Sequence, residues 1–200
     1  MRNDFGDWRG DYFELNAPES LLTDNALLRL SALNKGVRME RTADGRLIAM
    51  PPVGGIISNL NAKLTAYLGQ WDREAGLGIG FASCVGFHLP NSAVRSPDLS
   101  WVRRDRWDSL TKKERERFPP LCPDFVGEIV GPPLSLPEFQ EKMREYMDNG
   151  ARLGWLIDPQ SRRVEIYRPG RDVEILDDPT SISGDPILPG FTLDLRGILS

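Results

Sequence analysis

The stretch that decides the fold is Asp124-Phe125-Val126-Gly127-Glu128-Ile129-Val130, a short apolar run with one carboxylate near its middle. A period of two places Phe125, Gly127 and Ile129 on one face and Val126, Glu128 and Val130 on the other. Glu128 then projects between two valines, where a carboxylate must be protonated, paired with a cation or bound to a metal. A salt bridge to a basic residue and a functional carboxylate are equally good readings of that position.

Working outward, Ser135 to Asn149 reads as a helix closed by Asn149-Gly150, with Leu136, Phe139, Met143, Tyr146 and Met147 as its apolar stripe. Lys142 falls at the edge of that stripe. Its stem can lie on the core with the ammonium snorkelling to water, or it can point back over the sheet towards Glu128. Leu153 to Ile157 is a compact apolar strand stopped by Asp158-Pro159, followed by a hairpin over Val164 to Arg168 and Val173 to Leu176. Phe191 to Leu195 forms a last strand. Upstream, Asp98 to Val102 and Gly78 to Leu89 read as strands, and Ile57 to Trp71 marks a helix of about five turns ending before Gly76. Val37 to Met50 is a hairpin turning on Asp44-Gly45, and Ser20 to Asn34 a first helix. This order predicts one mixed α/β domain over residues 21–200 with a single central sheet, preceded by a polar arm over residues 1–20 and followed by a β tail.

Composition narrows the chemistry. The chain has 200 residues, and its single histidine, His88, excludes sites built on several histidines. Chemistry here runs on carboxylates, amines, hydroxyls or thiols. The two cysteines, Cys84 and Cys122, are too few for a disulfide framework, and the start lacks a signal-peptide pattern, so a cytoplasmic protein is expected. No apolar run is long enough to span a membrane. Net charge is −4, although Arg103 to Arg117 holds seven basic residues against four acidic ones. That segment reads as a solvated helical face before it reads as a phosphate-tracking surface.

Cys84 and His88 share a strand face by spacing but are too far apart to pair. Gly76, Gly78 and Gly80 mark a tight strand entry, not a phosphate loop, because no helix follows. Trp71, Trp101, Trp107 and Trp155 read as core or rim anchors.

Asp98 after Pro97, Glu128 in its strand and the helical Lys142 are two carboxylates and an amine, a set suited to phosphodiester hydrolysis. In that arrangement the chain resembles the PD-(D/E)XK nuclease superfamily. More closely it resembles a restriction-endonuclease-like family of unknown function abundant in cyanobacteria. The resembling stretches are RMERTADGRLIAMPP (38–52), GFHLPNSAVRSPDLSWV (86–102), PDFVGEIV (123–130), EKMREYMDNGARLGWLIDP (141–159) and LPGF (188–191).

The resemblance implies an αβββαβ core with a mixed central sheet flanked by helices. It implies Asp98 and Glu128 as ligands of Mg²⁺ or Mn²⁺, the Ile129 carbonyl as a third ligand, and Lys142 as the active-site lysine carried on the helix. It implies Glu40 as an upstream acidic catalytic residue and DNA as the substrate. A duplex cutter with one site per chain is also expected to pair as a homodimer.

Three positions depart from the family pattern. Val130 stands where the superfamily has lysine, Gly131 stands where relatives carry serine, and Ile56-Ile57 replaces a polar segment. The alternative expectation is therefore a catalytically weak or inactive module on the same fold, binding nucleic acid or a protein partner. A carboxylate-based glycosidase would use Asp98 and Glu128 but has no need of Lys142.

Overall fold

The computed structural model describes residues 7–8, 12–18, 20, 22–132 and 134–199. The strand built on Glu128 is β9 (Phe125–Ile129), and every residue in it is buried. It pairs in parallel with β10 (Leu153–Asp158) and antiparallel with β8 (Leu99–Arg103). These three sit inside a six-stranded mixed sheet. Outside β10 lie β11 (Arg163–Tyr167) and β12 (Glu174–Asp177), and outside β8 lies β5 (Gly78–Ala82). Only the β9–β10 pair needs a crossover, which α5 (Leu136–Asp148) supplies.

Two helices cover the sheet on opposite faces. The helix α2 (Gly55–Ala75) buries Leu60, Leu64 and Leu68 against Trp101, Phe125, Trp155 and Phe191. Its C-cap is Gly76 at φ 65°, a left-handed position that favours glycine. The helix α5 buries Phe139, Met143 and Tyr146 against Val126 and Leu156. Its start is fixed by a Ser135–Glu138 capping box. The two faces of β9 therefore separate as the period of two requires. Taken in order, α2, β5, β8, β9, α5 and β10 make the expected αβββαβ core.

The second sheet is what the sequence reading merged into the first. It is antiparallel and six-stranded: β1 (Asp7–Trp8), β2 (Phe13–Asn16), β4 (Arg46–Met50), β3 (Arg38–Arg41), β7 (Val94–Arg95) and β6 (Phe87–His88). The arm expected over residues 1–20 contributes β1 and β2 to it; residues 1–6, 9–11 and 19 lie outside the described residues. The run from Gly78 to Leu89 is not one strand. It ends at Ala82 and re-enters as β6 in the other sheet, so Cys84 and His88 share no face.

The first helix, α1 (Asp24–Leu33), is capped by Thr23. The basic segment forms two short helices, α3 (Arg104–Asp108) and α4 (Lys112–Arg115). In the tail, β13 (Ser181–Ser183) pairs with β14 (Thr192–Asp194), and the polar Ser-Ile-Ser pattern of β13 gave no strand signal. No described helix is long and apolar enough to cross a membrane.

Candidate active site

The four expected site residues converge where the two sheets meet α5. Lys142 is 4% exposed, so it does not snorkel. Its Nζ lies 2.9 Å from Glu40 Oε1 and 2.9 Å from Glu128 Oε1. The second reading of Lys142, with its ammonium turned back over the sheet, is the one the structure holds. Its place on the apolar stripe brings it there, four residues before Tyr146 on one helix face.

Glu40 comes from β3 and is fully embedded in donors. Its Oε1 accepts from Lys142 and, at 3.0 Å, from the Ser96 backbone N–H, while Oε2 lies 3.2 Å from Arg95. Burial opposes its charge, but Lys142, Arg95 and Arg38 outweigh that and hold its pKa down at about 2. Glu128 is 0% exposed, and burial pushes its carboxyl up to about 7 despite Lys142. Tyr146 donates to Glu128 Oε1 at 3.0 Å, and its own ionisation is pushed well up by burial and by the Glu128 charge. Glu128 Oε2 is buried with no hydrogen-bond partner among the described residues.

Asp98 lies one step beyond the last β8–β9 pair, Leu99 with Gly127. Its Oδ2 accepts from the Ile129 backbone N–H at 3.0 Å, taking the place of a strand partner. Its Oδ1 meets Arg38 at 2.9 Å and Asn61 of α2 at 3.3 Å. Ile129, expected through its carbonyl, thus meets Asp98 through its N–H. A cavity of about 410 Å³ opens over Asp98, lined also by Arg38, Asn61, Ser96, Pro51 and Cys84. Glu128 and Lys142 are buried and do not line this cavity.

Arg38, Asn61, Arg95, Ser96 and Tyr146 escaped the sequence reading. Two had a signal: Arg38 is two residues before Glu40 and so shares its strand face, and Tyr146 is one helical turn after Lys142. Two of the departures from the family pattern turn out to touch. A Cβ on Gly131 would come within 2.9 Å of Ile57 Cδ1, so the missing side chain at one position makes room for the apolar one at the other. The basic segment is spent internally to a large extent: Arg106 pairs with Asp124, and Arg104 and Arg115 donate to backbone carbonyls. His88 pairs with Asp24 on the far side of β3, away from this cluster.

The fold is similar to that of a "putative nuclease belonging to DUF820" from Anabaena variabilis. The TM-score is 0.74 at 20% identity, over 88% of this chain and 97% of that one. No curated protein matches the chain. Residues 24–196 match a family profile described as "Putative restriction endonuclease". With that match spanning the αβββαβ core and every site residue named above, the chain belongs to the Uma2 family.

Proposed function

We propose that this protein is a Mg²⁺-dependent endonuclease that hydrolyses DNA phosphodiester bonds. The observation that carries the reading is the meeting of Asp98, Glu128 and Lys142 from three elements, with Glu128 Oε2 buried and unpartnered among the described residues. The family description supports the same class of reaction.

The donor set suits a hard cation. Asp98 and Glu128 offer carboxylate oxygens from neighbouring strands, and the Ile129 carbonyl is the third protein ligand in this proposal. Among the described residues no trio of His, Cys, Asp or Glu forms a metal cage. A Mg²⁺ site of this kind uses one or two carboxylates and leaves the remaining positions to water and substrate phosphate. When bound, the metal polarises the phosphate and acidifies a bound water. Arg38, at the rim of the cavity, meets the charge of the incoming phosphate. Lys142 offsets negative charge as it builds on phosphorus, held in place by Glu40.

A second reading is favoured by the occupancy of Asp98, whose two oxygens already accept from Arg38, Asn61 and Ile129. This would suit a weak or inactive module that binds nucleic acid or a protein partner. Plasmid cleavage in Mg²⁺ and Mn²⁺ separates the two. Wild type should cut, while Asp98→Asn and Glu128→Gln should not, with melting temperatures kept within a few degrees. Either variant cutting at the wild-type rate sinks the site. A wild type that binds DNA yet cuts with neither metal establishes the module. Homodimer formation belongs to the same proposal, and sedimentation at micromolar concentration tests it.

A further inference from the structure

The orientation of the Glu128 carboxylate has an identifiable cause. Among the described residues two groups address this side chain, Lys142 Nζ at 2.9 Å and the Tyr146 hydroxyl at 3.0 Å, and both address the same oxygen. Lys142 is shared with Glu40, so Tyr146 is the partner that serves Glu128 alone among the carboxylates. The terminal torsion of a glutamate is broad, and a carboxylate with one shared donor can turn to divide its contacts between both oxygens. With two donors on one oxygen, the other is left bare. That is the buried Oε2, which has no partner among the described residues. All four carboxylate oxygens of Asp98 and Glu40 have donors.

We propose that Tyr146 is a positioning residue that fixes the Glu128 carboxylate with one oxygen free for a divalent cation. This rests on the metal-dependent reading above. Tyr146 is fully buried on α5, one turn from Lys142, so the helix that carries the lysine also sets the ligand. Residues that orient a metal ligand in this way typically govern affinity by 10–100-fold.

The test is calorimetric titration of the full chain with Mn²⁺ alone, without DNA. Tyr146→Phe keeps the ring and removes the donor, and Mn²⁺ affinity should fall by about 10–100-fold. Tyr167→Phe is the matched control, since the Tyr167 hydroxyl also donates to a buried carboxylate, Glu165, at 2.6 Å on a different strand. It should lower the melting temperature to a similar extent and leave Mn²⁺ affinity unchanged. Tyr146→4-aminophenylalanine, which restores a donor on the same ring, should recover the affinity. Wild-type affinity in Tyr146→Phe overturns the proposal, and so does equal weakening by Tyr167→Phe, which would mark a general softening of the fold. If wild type itself binds no Mn²⁺, the metal-dependent reading fails first and the role of Tyr146 falls with it.

Discussion

Lys142 and Glu40 stand 102 positions apart in the chain and meet at 2.9 Å, with side chains 3% and 1% exposed. The contact joins α5 to β3, and so ties the antiparallel sheet to the face of the mixed sheet that carries Glu128. In the superfamily pattern the lysine lies two residues after the strand glutamate, where this chain has the half-buried Val130. Moving the amine to the helix changes what it touches. From α5 it reaches two carboxylates at once, and its charge becomes part of what holds the two sheets together.

Lys142→Met should therefore cost stability as well as activity. The methionine keeps the packed stem, but Glu40 and Glu128 lose their shared cation inside the protein. Removing one partner of a buried ion pair costs about 3–5 kcal/mol, because the remaining charge is left without compensation. Glu40 retains Arg95 and the Ser96 N–H, which points to the lower end of that range. Thermal melting at pH 7 measures the loss. A second change, Glu40→Gln, should add less than its own single-variant cost, since part of the damage has then already been done. An unaltered melting temperature in Lys142→Met would exclude this account of the lysine.

The fold was legible where one local period dominates. The alternation through Val126, Glu128 and Val130, the stripes of α2 and α5, and the Asp44-Gly45 turn each carry their own signal. The second sheet was not legible, because β6 and β7 are two residues each and owe their pairing to chain brought from elsewhere. The site divides in the same way. Asp98, Glu128 and Lys142 are chemically conspicuous, with Lys142 at the edge of an apolar stripe, whereas Glu40 stands out only through the family resemblance; the structure brings Glu40, Glu128 and Lys142 into contact. Whether its ammonium faced water or Glu128 depended on the sheet packed against it, which no local pattern reports. Arg95 is three residues before Asp98 and reads as an ordinary loop arginine until Glu40 and Glu145 are placed on either side of it.

The two thiols should differ sharply in reactivity. Cys122 is 1% exposed, its Sγ lies 3.5 Å from the Tyr146 carbonyl, and burial pushes its thiol up to about 12. Cys84 is exposed and lines the cavity over Asp98. A thiol reagent at pH 8 should therefore modify one group per folded chain, and the second only after denaturation, because the thiolate is the reacting form. A bulky label on Cys84 should also obstruct the cavity and suppress DNA cleavage. Two fast equivalents in the native protein would contradict the burial of Cys122. Full cleavage by the labelled protein would mean that substrate enters by another route.

Acid should loosen the junction at Glu40 first. Its ordinary carboxyl pKa of 4.5 falls to about 2 in the folded chain, where Lys142, Arg95 and Arg38 prefer it charged. A carboxylate with a depressed folded value contributes stability that is fully present above its unfolded value and is lost as the folded value is approached from above. Stability should therefore decline between about pH 4.5 and pH 2, by roughly 3 kcal/mol from this group at about 1.4 kcal/mol per unit. Denaturant unfolding followed from pH 6 to pH 2.5 reads the slope. In Glu40→Gln, which has no proton to take up at this position, the baseline stability should be lower and this part of the acid slope absent. If the variant and wild type lose stability in parallel over that range, Glu40 is not the group whose protonation opens the junction between α5 and β3.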